Sequence, residues 1–225
     1  MIAGKKVSLI VPTLNEEEGL ARVYELIPKS VDEVVVVDGQ SRDRTREIAA
    51  AHGAVVVVEP RRGYGRAYRT GFEKATGDIV ATCDGDGTYP VDHLDEFVAY
   101  LDERDLDFLS CSRFPLIDPR SMDRRNQLGN RAMTAAASVL WLHRFHDILS
   151  GMWVFRRSAL SAFELGSDGW NLSEEIKLRA YMALGTKFGE TPSPYYARLG
   201  ETKLMPWRVG VENLIYLAGL RLGIV

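Results

Sequence analysis

Two aspartates that stand two residues apart, Asp84 and Asp86, are the side chains of this sequence best suited to chemistry. They follow a short apolar run and alternate with glycines, in the order Asp84-Gly85-Asp86-Gly87. A hard divalent cation is typically held by one or two carboxylates together with phosphate oxygens of a substrate. The spacing therefore predicts a cation site. The simpler alternative is that the two aspartates form a solvated Asp-Gly turn after a strand.

An arginine-rich segment, residues 113–131, is the second feature with chemical potential. It contains five arginines and two aspartates, so its formal charge is +3. Arginine suits phosphate recognition because its planar guanidinium donates several hydrogen bonds at once. We predict a loop-like segment that binds phosphate, and a solvated charged loop is the alternative.

Short apolar runs alternate with helical patterns through the first half of the chain. The runs are continuous rather than interrupted by polar residues, which indicates strands buried on both faces of a parallel sheet. Asn15 is predicted to cap a first helix that opens with Glu16, and further helices are predicted at 43–52, 64–75 and 91–101. The predicted strands are Val7–Val11, Glu33–Asp38, Ala54–Glu59, Ile79–Cys83 and Phe108–Ser112.

The second half of the chain is less regular but contains no repeat and no low-complexity linker, which favours a single domain. We predict a helix that carries Leu128 and Val139 on one face, a strand near Met152–Phe155, a helix near Glu174–Leu184 and a last helix at Val209–Leu222. The fold class is therefore an open, mostly parallel α/β sheet flanked by helices. Ligands of such sheets bind beyond the carboxyl ends of the strands, which is where Asp84 and Arg113 stand.

Composition excludes several classes of protein. With 28 basic and 31 acidic residues among 225, the formal charge of −3 argues against a general nucleic-acid binder.

The two cysteines, Cys83 and Cys111, end apolar runs and are predicted to be buried free thiols rather than a disulfide. We find no signal peptide and no run of the ~20 apolar residues that a membrane-spanning helix needs, so we expect a soluble or peripheral intracellular protein. The Gly63-x-Gly65 pair does not match a dinucleotide-binding fingerprint.

Together the motifs resemble family 2 glycosyltransferases of the GT-A fold, and within them the polyprenyl-phosphate (dolichol-phosphate-type) sugar transferases. The resemblance covers nearly the whole chain. Its first three motifs are typical of the whole family, and the last three are typical of the lipid-phosphate branch. The motifs are Pro12-Thr13-Leu14-Asn15-Glu16, Val37-Asp38-Gly39-Gln40-Ser41, Asp84-Gly85-Asp86-Gly87-Thr88-Tyr89-Pro90, Ser112-Arg113-Phe114, Ser150-Gly151 and Arg198-Leu199-Gly200-Glu201-Thr202-Lys203-Leu204.

For the donor, the resemblance implies a nucleotide-sugar pocket lined by Pro12, Glu16 and Asp38. It implies that Asp84 contacts the nucleotide and the metal, and that Asp86 ligates Mg²⁺ or Mn²⁺ bridging the diphosphate. The family often has Tyr at position 14 and a second Asp at position 39, where this chain has Leu and Gly. The sequence therefore leaves UDP and GDP donors both open.

For the acceptor, the resemblance implies that Arg113, with one or both of Arg125 and Arg131, faces a phosphate group. Arg198 and Lys203 would close over the donor diphosphate and the acceptor. Asp86, Arg113 and Arg131 are thus the expected catalytic residues. Residues 1–112 would form the nucleotide-binding half and residues 113–225 the acceptor-binding half.

The reaction implied is metal-dependent, inverting transfer of a sugar to a polyprenyl phosphate at the cytoplasmic face of the membrane. A lipid monophosphate is largely dianionic at neutral pH, so as a nucleophile it needs no general base. Three alternatives stay open: a sugar or protein hydroxyl acceptor, with Glu174 or Glu175 as base; a sugar-phosphate nucleotidyltransferase; and a binding module without catalysis. The last helix and residues 204–208 either dock on the membrane or pack on the core.

Overall fold

A seven-stranded sheet with helices on both faces positions the candidate residues. The computed structural model describes residues 1, 4–200 and 206–224, the side chains of 206–208 excepted. The strands are β1 (Val7–Thr13), β2 (Glu33–Asp38), β3 (Val55–Val58), β4 (Ile79–Thr82), β5 (Phe108–Ser112), β6 (Trp153–Arg156) and β7 (Phe188–Pro192). The α-helices are α1 (Glu17–Leu26), α2 (Thr45–Ala51), α3 (Tyr64–Lys74), α4 (Leu94–Glu103), α5 (Arg124–Trp141), α6 (Leu172–Leu184) and α7 (Pro206–Leu222).

The strand order is β3-β2-β1-β4-β6-β5-β7. The pairs β1–β2, β1–β4, β2–β3 and β5–β7 are parallel, whereas β6 runs antiparallel between β4 and β5. The predicted fold class, an open and mostly parallel α/β sheet in one domain, is confirmed. The edge strand β7 was not predicted, because its Gly189 and Pro192 are poor strand formers and its pairing with β5 decides its conformation.

Alternating side chains of the strands supply two cores, one on each face of the sheet. In β1, Ile10 packs into the core beneath α3, α5, α6 and α7, whereas Leu9 and Val11 pack into the core beneath α1, α2 and α4. All three side chains are fully buried. Cys83 and Cys111 are buried free thiols, as predicted. Burial of both sheet faces explains why the strands are apolar without interruption.

The turn after β1 differs from the prediction that Asn15 caps α1. The N-cap is Glu16, and Asn15 adopts a left-handed conformation with φ of 50°. Asn15 instead joins two loops, because its N–H donates to Ser41 Oγ at 2.8 Å and its Oδ1 accepts from Arg42 N–H at 2.8 Å. This junction holds together the carboxyl ends of β1 and β2, where Glu16 and Asp38 lie.

The arginine-rich segment is a loop only in its first part, so the prediction of a loop over 113–131 was wrong from Arg124 onward. Asp123 caps α5 there by accepting from the N–H groups of Arg125 and Asn126, both at 2.9 Å. The predicted apolar face also points outward, since Leu128 and Val139 are 71% and 73% exposed. The buried face of α5 consists of Met133, Thr134 and Ala137.

Candidate active site

Asp84 and Asp86 lie where β4 ends, against the N-terminal part of α1. Helix α1 can approach this closely because it carries Gly19, where a Cβ would lie 2.4 Å from the Gly85 carbonyl oxygen and 2.6 Å from the Asp86 Cα. Any larger residue at position 19 would push the two aspartates away from Glu16 at the start of the same helix. The local sequence thus brings three carboxylates to one edge of the sheet.

Asp84 is held by two tyrosines of α3. The hydroxyls of Tyr64 and Tyr68 donate to its Oδ1 at 3.0 and 3.2 Å. Desolvation, reinforced by the neighbouring Asp86 charge, raises the pKa of Asp84 to about 7. Asp84 therefore lies in a site that favours the arrival of positive charge.

Asp86 is almost fully buried, at 3% exposure. Its Oδ1 accepts from the N–H and the hydroxyl of Thr88, at 3.1 and 2.7 Å. Its Oδ2 accepts from Arg198 Nη1 at 2.7 Å. Thr88 orients the Asp86 carboxylate, and Arg198 neutralises it.

Arg198 bridges Asp86 and Glu16. Its Nη2 lies 2.9 Å from Glu16 Oε1, and its side chain keeps 31% exposure, whereas both carboxylates are buried. The backbone around Arg198 is tied to the same loop, because Leu199 N–H donates to the Asp86 carbonyl at 3.1 Å and Tyr196 N–H donates to the Thr88 carbonyl at 2.8 Å. The segment from Tyr196 to Leu199 therefore covers the carboxylates.

The other predicted donor-site residues lie at the ends of β1 and β2. Asp38 is fully buried and accepts from Ser41 N–H at 3.0 Å, and Arg46 Nε lies 3.7 Å from its carboxylate. Pro12 pairs in register with Val37 in the parallel β1–β2 ladder, and its carbonyl oxygen would lie 3.2 Å from a Cβ at position 85. Lys203 lies outside the described residues. Thus Pro12, Glu16, Asp38, Asp84, Asp86 and Arg198 gather at the carboxyl ends of neighbouring strands.

The donor set fits a divalent cation only with help from a ligand. Among the described residues, no group of three or more His, Cys, Asp or Glu side chains could hold a metal ion. Asp84 and Asp86 provide two hard carboxylates, which matches the way Mg²⁺ is held when substrate phosphates complete its coordination. The residues therefore suit a cation that binds together with a diphosphate.

Arg113 follows β5 and is locked in place by Asp147. Arg113 Nε and Nη2 donate to Asp147 Oδ2 and Oδ1 at 2.7 and 2.9 Å, and the Arg113 backbone N–H donates to Oδ2 at 3.0 Å. Nη2 also donates to Asn130 Oδ1 at 3.1 Å. Burial alone would raise the pKa of Asp147, but the Arg113 charge and these hydrogen bonds hold it below its usual range. The pair is thus ionised and rigid.

The other predicted phosphate ligands are less constrained than Arg113. Arg131 is exposed on α5, and its guanidinium carbon lies 5.6 Å from the ring centre of Phe114. It lines a cavity of about 260 Å³ with Phe114, Thr134, Ala135, Ser138, Phe145 and His146. Arg125 is exposed in the first turn of α5, about 9 Å of helix rise before Arg131. The structure therefore places Arg131 against Phe114, the residue that follows Arg113, and leaves Arg125 farther along the helix.

The two glutamates at the start of α6 have different roles. Glu175 accepts from the N–H groups of Gly166 and Ser167 at 2.9 and 2.8 Å, so it shapes the preceding loop. Glu174 is fully buried, and neither of its oxygens has a hydrogen-bond partner among the described residues. Burial raises the pKa of Glu174 to about 9, so it is protonated at neutral pH.

Three residues near the site have no counterpart among the sequence-predicted ones. The sequence does not mark Tyr64 and Tyr68, because tyrosines on a helix usually indicate a core face. It does not mark Lys177 either, because this residue stands within an apolar helix. Tyr64 also stacks on Trp170 with ring centres 4.5 Å apart. This contact is possible because Gly63 has a φ of 138° and leaves no room for a Cβ, which would lie 2.0 Å from the Asp168 carbonyl oxygen.

Comparison with known proteins defines the class to which this fold and site belong. The glycosyl transferase family 2 model matches residues 8–163. A crystal structure of glucosyl-3-phosphoglycerate synthase from Mycobacterium tuberculosis, in complex with Mn²⁺, UDP and glucosyl-3-phosphoglycerate, is similar in fold, with a TM-score of 0.75. It is 23% identical over 99% of this chain and 82% of that one. The same synthase was also crystallised with Mg²⁺ and UDP. The chain belongs to glycosyl transferase family 2 and is a glycosyltransferase of the GT-A fold.

Two similar curated proteins are from Haloferax volcanii. A dolichyl-phosphate hexose transferase is 36% identical over 207 residues, which are 91% of this chain and 89% of the relative. The low-salt glycan biosynthesis hexosyltransferase Agl6 is 35% identical over 94% of this chain. The chain spans only about half the length of Agl6, 52%. The predicted resemblance to family 2 and to its lipid-phosphate branch is thus confirmed at the level of family and relatives.

Proposed function

We propose that this chain is a metal-dependent, inverting hexosyltransferase that moves a sugar from a UDP- or GDP-sugar to a polyprenyl (dolichyl-type) phosphate. One observation carries the proposal: a single segment joins the carboxylate cluster to the locked arginine. The Tyr195 ring lies 5.5 Å from the Arg113 guanidinium carbon, and three residues later Arg198 reaches Asp86 and Glu16. Groups for a cation-bound diphosphate and for a second phosphate are therefore neighbours.

On the donor side, Pro12, Glu16 and Asp38 would line the nucleotide pocket, and Asp84 and Asp86 would hold Mg²⁺ or Mn²⁺. The cation, when bound, stabilises the negative charge that the nucleoside diphosphate gains as the sugar bond breaks. Arg198 would exchange its ion pairs with the carboxylates for ion pairs with the diphosphate, and Lys203 would also contact the diphosphate. The crystallised neighbours that contain UDP with Mn²⁺ or Mg²⁺ support this assignment.

On the acceptor side, Arg113 and Arg131 would bind the phosphate, with Arg125 as a more distant contributor. In the described part of the chain, Arg113 Nη1 donates to no protein acceptor and is the group that would meet the phosphate. A phosphate oxygen attacks the anomeric carbon, forming a C–O bond while the bond from that carbon to the donor phosphate breaks. Attack from the opposite face inverts the configuration, and the dianion needs no base because its second pKa is near 6.

This division assigns residues 1–112 to the donor and residues 113–225 to the acceptor, except that Arg198 and Lys203 would contact the donor diphosphate. The dolichyl-phosphate hexose transferase of Haloferax volcanii supports the acceptor, since it is similar along 91% of this chain. A hydroxyl acceptor would instead need a base. The buried Glu174 is a poor one because it is protonated at neutral pH and fully enclosed.

A peripheral contact with the cytoplasmic face of the membrane completes the proposal. No helix within the described ranges is long and apolar enough to cross a bilayer. Helix α7 buries Leu217 and Leu220 but exposes Ile215 and Leu222 at 68% and 72%. From the sequence, core packing and membrane docking are alternatives for this helix. Its buried face packs on the core, and its exposed apolar face suits docking on a membrane. The predicted contact at residues 204–205 lies outside the described residues.

A vesicle flotation assay tests this contact. We expect the double variant Ile215→Glu, Leu222→Glu to float less than the wild type with vesicles of anionic and neutral lipid, because it places two charges on the apolar face. Val58→Glu is the matched control, since Val58 is an exposed valine, 48% accessible, on the edge strand β3. Equal flotation of all three proteins would refute the contact.

The first experiment measures sugar transfer from a panel of UDP- and GDP-sugars with Mg²⁺ or Mn²⁺, with and without a polyprenyl phosphate. We expect labelled sugar in the lipid phase only when the lipid phosphate is present. Release of pyrophosphate would indicate a nucleotidyltransferase, and donor binding without transfer would indicate a binding module. Glu174→Gln separates the hydroxyl-acceptor alternative, because loss of the catalytic base would abolish that reaction, whereas transfer to a phosphate tolerates the change.

A further inference from the structure

Lys177 of α6 is a fully buried lysine in a helix whose neighbouring positions, Ile176 and Leu178, are fully buried apolar residues. Its Nζ donates to the backbone carbonyl oxygen of Asp147 at 2.7 Å. A buried ammonium is unfavourable unless it is hydrogen-bonded and near opposite charge, and an apolar residue would fill the same space. The core alone therefore does not explain a lysine at this position.

The segment that Lys177 contacts carries the partner of Arg113. Its backbone is irregular, and other elements hold it: Glu190 of β7 accepts from His146 N–H at 2.8 Å, and Thr134 of α5 accepts from Ile148 N–H at 3.1 Å. Lys177 provides the contact from α6. Lys177 thus holds Asp147 through its main chain. The two carboxylate oxygens of Asp147 accept from Arg113 Nε and Nη2.

Five charged or titratable groups face Lys177: Asp147, Arg113, Cys111 of β5, Glu190 of β7 and Glu174 of its own helix. Burial raises the pKa values of Glu174 and of the Cys111 thiol, so both are neutral at pH 6. With Lys177 protonated at that pH, the balance is between two cations, Lys177 and Arg113, and two carboxylates, Asp147 and Glu190. Loss of the Lys177 charge would leave the cluster with an excess negative charge next to the group proposed to bind a phosphate. Lys177 therefore affects both the position of Arg113 and the potential around it.

We infer that Lys177 is a positioning residue for the acceptor: its ammonium holds Asp147, and Asp147 orients Arg113 toward the acceptor phosphate. The inference rests on the proposed function, because it takes Arg113 as the phosphate ligand. Lys177 itself touches neither substrate, since its side chain is wholly enclosed.

The test compares Lys177→Met with the wild type by measuring the KM values for polyprenyl phosphate and for the nucleotide-sugar separately. We expect the acceptor KM to rise about tenfold at pH 6, the effect of losing one charge-assisted hydrogen bond, and the donor KM to stay within about twofold. Burial lowers the pKa of Lys177 to about 7, so the wild-type ammonium is lost as the pH rises above that value. The difference between the two proteins should therefore shrink toward pH 8.5.

Arg156→Met is the control for general destabilisation, because Arg156 is a partly buried cation that pairs with Asp102 and Asp107. If Lys177→Met folds poorly, the double variant Glu174→Leu, Lys177→Met replaces both polar groups by apolar ones and should restore stability but not the acceptor KM. Equal changes in both KM values, a fall in kcat alone, or a KM ratio independent of pH would overturn the inference. Absence of lipid transfer by the wild type would instead overturn the proposed function.

Discussion

The proposed donor and acceptor sides of the site hold their charges in different ways. On the donor side, Asp86 and Glu16 share one cation, Arg198, which belongs to a covering segment and has a side chain that is 31% exposed. On the acceptor side, Arg113 is paired with the fully buried Asp147 by two side-chain hydrogen bonds of 2.7 and 2.9 Å. The first arrangement reaches solvent through Arg198, whereas both partners of the second are buried, at 9% and 0% side-chain exposure.

In the proposed reaction, this difference matches what each substrate requires. A cation and a diphosphate bring their own charges, so the carboxylates must be able to give up a protein cation when the donor binds. A single phosphate brings only negative charge, so its arginine must keep one orientation. A paired arginine still has donors to spare, because the guanidinium carries five N–H groups and Asp147 does not use all of them.

The largest expected effect lies on the donor side. Asp86→Asn should reduce transfer on the order of 10²- to 10³-fold, because a neutral amide is a poor ligand for a divalent cation. Asp92→Asn is the matched control, since Asp92 is exposed beyond the same loop. Initial rates with Mn²⁺ and thermal unfolding curves measure activity and folding. Activity retained in excess chelator would contradict the metal role.

The next effect concerns stability on the acceptor side. Arg113→Ala should lower the free energy of unfolding by about 3 kcal/mol, because it leaves the Asp147 carboxylate buried and unpaired. Arg131→Ala removes an exposed arginine and should stay within about 1 kcal/mol. Urea unfolding measures both variants. Equal decreases in the free energy of unfolding for the two variants would show that the buried Arg113–Asp147 pair does not stabilise the fold more than the exposed Arg131 does.

The covering arginine should behave in the opposite way. Arg198→Gln should lower the free energy of unfolding by less than Arg113→Ala does, because Arg198 is 31% exposed and Gln can still donate a hydrogen bond to one of the two buried carboxylates. It should nevertheless raise the donor KM severalfold and leave the acceptor KM nearly unchanged. Arg22→Gln, which breaks an exposed pair with Glu25, is the control. A selective rise in the acceptor KM would place Arg198 on the other side of the site.

The smallest effect concerns a fixed pair on the donor side, Glu59 at the end of β3. Hydrogen bonds from Arg61 lower the pKa of Glu59 to about 2, with Thr70 contributing. A carboxyl whose pKa is lower in the folded state stabilises the protein above its unfolded value near 4.5 and loses this contribution as the pH falls toward 2. The stability difference between wild type and Glu59→Gln should therefore be constant above pH 5 and shrink below it. Thermal unfolding across pH 3–7 measures it, and a difference that grows on acidification would have the wrong sign.

Prediction from sequence succeeded where chemistry and structure are local. The alternation of strands and helices in the first half was correct because each element is encoded by its own apolar pattern, and Asp84 and Asp86 were found because one loop carries both. It failed where a local pattern competes with packing. The stripe of α5 with Leu128 and Val139 faces outward, because that helix is buried through Met133 and Ala137 instead.

The sequence by itself determined the fold class, the family and the residue types at the carboxyl ends of the strands. Only the tertiary structure decided which of them meet. Arg198 reaches Glu16 across 182 positions, and Lys177 reaches Asp147 across 30. Such contacts depend on strand order and on the paths of loops, which no periodicity within a segment contains. A buried charge such as Lys177 becomes interpretable only when the groups that surround it in space are known.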